Sequence, residues 1–87
     1  MKYAAVIEYI PDAEKVQLIR PRHREYLRGL KEGGRLAASG PFVDGSGALI
    51  IYEAESHEQA EQLLTEDPFH QAGVFEAWVI REWNQVM

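Results

Sequence analysis

The stretch ALIIYEAESHEQAEQLL, residues 48–64, decides the fold because its hydrophobic pattern changes once, from that of a strand to that of a helix. Residues 48–54 are apolar and rich in β-branched and aromatic side chains, which predicts a strand. Ser56, followed three residues later by Gln59, has the spacing of a capping box, and apolar residues then recur at helical intervals. A strand that leads directly into a helix is therefore predicted.

The residues upstream of this stretch predict a hairpin and a first strand. DGSG, residues 44–47, is a turn sequence that joins the strand to a shorter one over residues 35–42. Residues 2–9, with β-branched and aromatic members, form the first predicted strand. The turn places the two hairpin strands antiparallel and next to each other.

A long helix is predicted between the first and second strands. Asp12 is its N-cap, helical spacing extends over residues 13–33, and the glycines that begin at Gly33 are a C-cap signal. Pro21 lies inside this pattern, where it removes one backbone hydrogen bond and clashes with the preceding turn. We therefore expect either a kinked helix or a short helix followed by a second one that begins near Arg20.

The chain ends with a short helical turn and a last strand. Asp67 before Pro68 breaks the second helix, a further single turn extends to about Gln71, and residues 74–83 form the strand. The order β-α-β-β-α-β predicts an α+β, ferredoxin-like sandwich with both helices on one face of an antiparallel sheet. A chain of 87 residues is expected to be one domain, residues 1–87.

The third and fourth strands predict a partner. An antiparallel sheet with one solvated face should alternate apolar and polar residues, but residues 48–54 and 74–83 are apolar on both faces. Two helices cover only one face. We therefore expect a homodimer that packs sheet against sheet, with Trp78 or Phe75 in the interface.

Composition excludes several classes of function. The chain has no cysteine, so disulfides, a thiol nucleophile and thiolate metal sites are ruled out. Its net charge of −5 argues against a nucleic-acid partner, and the arginines of residues 20–35 have no aromatic platform among them. The apolar N-terminal run is too short for a signal or membrane segment. We expect a cytoplasmic protein that binds neither nucleic acid nor membrane.

The predicted topology gathers candidate site residues at one rim of the sheet, where the start of the first helix meets the end of the second and the ends of the first two strands. Those residues are Glu8, Tyr9, Arg20, His23, Ser39, Gly40, Asp67, Phe69 and His70. A histidine beside a carboxylate can act as an oriented general acid or base. The alternatives are a core-edge histidine for His23 and a simple turn or cap residue for Asp67.

Other kinds of site have weak sequence support. No short metal-ligand spacing such as HxxxH or HExxH occurs, so we expect no metal and no cofactor. Ser39 lies in ASGP, which is not a nucleophile elbow, and GSG lacks the context of a phosphate-binding loop.

Three ordered stretches resemble the YCII-related (YciI-like) family. They are RPRHREYLRGLKEGGRLAASGP (20–41), ALIIYEAESHEQAEQLLTEDPF (48–69) and AGVFEAWVIREW (72–83). The specific parts are RPxH in the first helix, a small residue before Gly-Pro after the second strand, and DPF…AG after the second helix. The resemblance implies a dimeric ferredoxin-like α+β barrel, related in fold to muconolactone isomerase.

The resemblance also implies a site centred on a histidine and an aspartate, which carries over to His23 and Asp67. Arg20 matches the arginine of the motif, and Ser39 with Gly40 matches the turn at the strand end. Activities associated with relatives are dehydrochlorinase- or isomerase-like steps on small ring-derived acids. The resemblance transfers the fold with more force than the reaction.

Two functions are left open at this point. In the first, an enzyme of lyase, isomerase or hydrolase type uses His23 for proton transfer and Asp67 to orient it. Arg20 then binds a substrate carboxylate, Ser39 and the Gly40 backbone supply hydrogen bonds, and Phe69 or Tyr9 forms a wall. In the alternative, a non-catalytic dimer binds a metabolite or a larger enzyme, and the His–Asp pair is structural. A cavity at His23 favours the enzyme; a filled rim favours the alternative.

Overall fold

A four-stranded antiparallel sheet with the strand order β2-β3-β1-β4 forms the framework of the computed structural model, which describes residues 1–87. The elements are β1 (Lys2–Tyr9), α1 (Ala13–Glu32), β2 (Leu36–Pro41), β3 (Gly47–Glu53), α2 (His57–Thr65), α3 (Pro68–Gln71) and β4 (Phe75–Trp83). The helices pack on one side of the sheet, the inner sheet face; the other side is the outer sheet face. The predicted ferredoxin-like α+β fold is confirmed.

Helix α1 continues through Pro21 as a single helix, so the predicted second helix near Arg20 is not formed. An internal proline costs about 3 kcal/mol or more. The buried side of the helix offsets this cost, because each fully buried aliphatic side chain contributes about 1.5–3 kcal/mol. That side consists of Val16, Ile19, His23, Leu27 and Leu30. Pro21 itself is exposed, on the opposite side.

The predicted hairpin depends on two features of its turn. Asp44 accepts a hydrogen bond from the Ser46 backbone N–H at 2.9 Å. Hydrogen bonding to the Ser46 side chain, and then to its backbone, lowers the pKa of the Asp44 carboxyl. Gly47 begins β3, and a Cβ atom there would collide with the Ile7 carbonyl oxygen of the neighbouring strand. Only glycine therefore allows β1 and β3 to approach so closely beside the turn.

A β-bulge in β4 reverses one prediction. The pairing of β1 with β4 shifts at Tyr9, which leaves Glu76 as an extra residue. As a result Phe75 points to the inner sheet face, where it is 6% exposed. Trp78 lies on the same inner face and packs edge-on against His70, with ring centroids 5.2 Å apart. The prediction that Phe75 or Trp78 lies in a sheet-to-sheet interface is therefore wrong.

The outer sheet face is apolar and has no covering element in the chain. Val6 pairs with Leu49 on one side and with Val79 on the other, so their side chains share this face. These three residues and Trp83 are between 38% and 60% exposed. The predicted second apolar face is thus present, and it includes Leu49 and Val79 but neither Phe75 nor Trp78. None of the helices α1 to α3 has the combination of length and apolar composition that a membrane-spanning helix needs.

Candidate active site

His23 and Asp67 form a buried pair although 44 residues separate them in the chain. His23 lies on the buried side of α1, and Asp67 lies between α2 and α3. The Nδ1 atom of His23 is 2.8 Å from each carboxylate oxygen of Asp67. The two residues are 5% and 0% exposed, respectively. The predicted contact is present, and the ferredoxin-like topology is what creates it.

Asp67 is held in place by its second task as the N-cap of α3. Its Oδ1 atom accepts a hydrogen bond from the Phe69 backbone N–H at 2.8 Å. The Phe69 ring stacks on the His23 imidazole, with centroids 4.0 Å apart and an interplanar angle of 15°. One short turn of helix therefore supplies both the carboxylate at the edge of the imidazole and the ring against its face.

The hydrogen bond assigns the His23 tautomer. An ionised carboxylate can only accept hydrogen bonds, so Nδ1 carries a hydrogen and donates it to Asp67. No protein group bonds to Nε2. The only side-chain polar atom that is both fully buried and unpaired is the Tyr52 hydroxyl, so the unpaired Nε2 atom is not fully buried. Nε2 is therefore accessible from the cavity that His23 lines. It can exchange a proton with a molecule bound there.

The cavity lies between α1, the end of β1 and the strands of the hairpin. Its lining consists of Tyr9, Arg20, His23, Arg24, Leu27, Ser39, Gly40, Pro41, Ala48 and Ile50. Its volume is about 150 Å³. An engineered cavity of about 150 Å³ accommodates benzene, so this volume suits one six-membered ring.

Four of the residues predicted for the site line the cavity beside His23. They are Tyr9, Arg20, Ser39 and Gly40. Phe69 was predicted as a possible wall, but it is completely buried behind His23. Asp67 likewise has no place in the lining and can reach a bound molecule only through His23. The roles of all these residues in binding or catalysis stay predictions.

Arg24 is a cavity residue that the sequence prediction missed. It follows Arg20 by four residues, and side chains at this spacing share one side of a helix. That spacing was the available signal. Neither arginine forms an ion pair: the ion pairs of the chain are those of Glu53 with the N-terminus and Lys2, and that of His23 with Asp67.

The Tyr9 hydroxyl is a further polar group of the lining. Burial raises its pKa, and the Arg20 guanidinium offsets that rise only in part. Tyr9 therefore remains a phenol at neutral pH and can donate a hydrogen bond into the cavity.

The remaining histidines do not contribute to this arrangement. His57 bonds through Nε2 to the carbonyl oxygen of Ile80 at 3.1 Å, and His70 packs against Trp78. No three His, Asp or Glu side chains are grouped closely enough to hold a metal ion. The chemistry that this site offers is proton transfer at His23 beside cationic and hydrogen-bonding groups.

Sequence comparisons link the chain to known proteins along most of its length. A family model, the YCII-related domain, matches residues 1–84. The protein YciI from Escherichia coli O6:H1 is 34% identical over 83 residues, which cover 84% of this chain and 85% of YciI. The uncharacterized protein YjpA from Bacillus subtilis is 38% identical over 62 residues, which cover 71% of this chain and 72% of YjpA.

Solved structures share the fold. The 5-chloro-2-hydroxyhydroquinone dehydrochlorinase TftG from Burkholderia phenoliruptrix AC1100, in complex with 2,5-dihydroxybenzoquinone, superposes with a TM-score of 0.84 and 26% identity. The match covers 97% of this chain and 94% of TftG. Rv0793 from Mycobacterium tuberculosis superposes over the whole length of both chains with a TM-score of 0.61 and 7% identity, which supports the fold alone.

Proposed function

The chain belongs to the YCII-related family, and from that premise we propose that it is an enzyme that transfers a proton on a small ring-derived substrate. The His23–Asp67 pair is its acid–base centre. The observation that carries the proposal is the accessible Nε2 atom over a ring-sized cavity. A purely structural ion pair requires no such cavity, so the arrangement favours the enzyme over the non-catalytic alternative.

The chemistry proposed for His23 is general acid–base catalysis. Nε2 accepts a proton from a C–H or O–H group of the substrate, and the released electron pair forms a new double bond. In an elimination, a leaving group departs with its own bonding pair, so that HX is lost in total. In an isomerisation, His23 returns the proton to another atom of the substrate. Asp67 stabilises the transient imidazolium and keeps Nε2 directed at the cavity.

Other lining residues are assigned to substrate binding. The Arg20 guanidinium binds an anionic oxygen of the substrate, because charge-assisted hydrogen bonds are the stronger kind. Tyr9 and Ser39 offer hydroxyl groups, and the backbone at Gly40 lines the same wall. Donors directed at an oxygen that gains charge would stabilise the transition state.

The likeness to TftG supports an elimination or a related proton shift rather than hydrolysis. TftG is a dehydrochlorinase that was solved with a quinone ring, and its chain is matched almost completely. The ring-sized volume of the cavity agrees with a substrate of that kind. For this chain we therefore propose lyase- or isomerase-type chemistry.

We also propose that two copies of the chain pack through their outer sheet faces. The support is the row of uncovered apolar side chains at Val6, Leu49 and Val79, together with the dimeric barrel that the family resemblance implies. Removing such surface from water is favourable in proportion to its area. Specific interfaces bury in total about 1,200–2,000 Å².

A substrate screen with one variant tests the proposed chemistry. Small carboxylates, lactones and chlorinated or hydroxylated hydroquinones are first ranked by thermal shift and then assayed for absorbance change and halide release. His23→Asn retains an N–H for Asp67 but loses the proton acceptor, so turnover should fall by about 10²–10⁴-fold while binding persists. His70→Asn is the matched control, because His70 lies outside the cavity. Equal turnover in the wild type and His23→Asn would overturn the role.

A further inference from the structure

Building on the proposed function, we infer that the cavity selects a ring-sized dianion, and that Arg24 binds the second of its two negative groups. Arg20 and Arg24 both line the cavity, one helical turn apart. No aspartate or glutamate lines it with them, and neither arginine has an ion-pair partner. The lining therefore contains two guanidinium groups that form no ion pair, while the Asp67 carboxylate lies behind His23 and outside the lining.

This local charge runs against the composition of the chain. The chain has 14 acidic residues and a net charge of −5, yet its cavity lining is cationic. Like charges four residues apart on a helix repel each other. An anion that contacts both guanidinium groups removes this repulsion and gains charge-assisted hydrogen bonds. A monoanion can neutralise only one of the two charges.

The two arginines differ in depth, which assigns them separate roles. Arg20 is half-buried and lies near the Tyr9 hydroxyl, whereas Arg24 is exposed at the mouth of the cavity. A ring that fills about 150 Å³ beside His23 would place one anionic group at Arg20 and direct the other outward to Arg24. Arg24 also lies outside the RPxH motif, so the family resemblance does not imply its role.

Binding of matched ring acids tests this inference. Benzoate is compared with phthalate, isophthalate and terephthalate by calorimetry on the full chain. At least one dicarboxylate should bind about tenfold or more tightly than benzoate, the effect of one added charge-assisted hydrogen bond. Arg24→Gln should weaken dicarboxylate binding much more than benzoate binding and so remove most of this advantage. Arg20→Gln should weaken both classes, and Arg28→Gln, an exposed arginine of α1 outside the cavity, should change neither.

Several results would overturn the inference. The first is that benzoate binds as tightly as every dicarboxylate, and the second is that none of these acids binds. The third is that Arg24→Gln weakens the binding of benzoate and of the dicarboxylates equally, or weakens neither. The same titrations with His23→Asn separate this inference from the proposed function. If the wild-type protein turns over none of the ring acids, but both it and His23→Asn still prefer dicarboxylates, the dianion site is supported and the enzyme is contradicted.

Discussion

The inner sheet face buries Ile7 and Ile50 under the helices, whereas the outer sheet face leaves Val6 and Leu49, their neighbours in the same strands, uncovered. Both faces are apolar, so hydrophobicity does not distinguish them. The difference lies in the polar groups. On the inner face His23 and the other polar groups of the cavity converge beside one end of the sheet, whereas the outer face offers mainly aliphatic surface. The first arrangement suits a small ligand and the second a large apolar partner.

The largest effect expected on the inner face comes from removing the carboxylate of the buried pair. Asp67→Ala leaves the His23 Nδ1–H without an acceptor and removes the cap of α3. Breaking a buried pair from one side costs about 3–5 kcal/mol of unfolding free energy. Urea denaturation measures this loss. Asp67→Asn, which keeps an oxygen for the Phe69 N–H, is the matched control and should lose less. A loss below about 1 kcal/mol, typical of exposed ion pairs, would contradict the importance of the pair.

The next largest effect is expected on the outer face. Val79→Glu places a carboxylate in the centre of the proposed interface, where a buried unpaired charge costs several kcal/mol. The dissociation constant of the dimer should rise at least about a hundredfold, which light scattering over a concentration series measures. Gln17→Glu adds the same charge on the exposed side of α1 and should not change the mass. A wild-type monomer at micromolar concentration would refute the dimer.

Several features of the fold and of the site can be predicted from the sequence alone. The order of elements, the caps at Asp12 and Ser56, and the meeting of His23 with Asp67 follow from local spacing and topology. These features depend on patterns that repeat over many residues or on hydrogen bonds within one turn. Such signals are present in the sequence itself.

The errors arise where a tertiary contact decides between local alternatives. The bulge at Glu76 changes which side Phe75 points to, and no residue in the strand signals it before the pairing partner is known. Pro21 is tolerated because the other side of α1 is buried, which the local rule does not consider. The topology predicts that Phe69 lies at the same rim as His23, but it does not predict how deeply each side chain is buried. The Phe69 ring lies behind His23 and does not reach the cavity.

The smallest effect concerns two tyrosines under the helices, one whose hydroxyl has a hydrogen-bond partner and one whose hydroxyl has none. Burial raises the pKa of both hydroxyls, that of Tyr26 to about 12, so both are protonated donors at neutral pH. Tyr26 donates to the Leu63 carbonyl oxygen at 2.7 Å, whereas the Tyr52 hydroxyl is fully buried without a partner. Tyr26→Phe should therefore lower the unfolding free energy by about 1 kcal/mol, the net value of one hydrogen bond.

Tyr52→Phe should have the opposite sign. The substitution removes a hydroxyl that loses its bond to water on folding and gains none in return, while the ring keeps its packing in the core. We expect an increase of up to about 1 kcal/mol, because the space left by the oxygen offsets part of the desolvation cost of about 1–3 kcal/mol. Paired urea titrations of the two variants at pH 7 measure both signs in one series. If Tyr52→Phe is destabilised as much as Tyr26→Phe, the Tyr52 hydroxyl has a partner in solution, such as a buried water molecule, and the inner face contains no unsatisfied group.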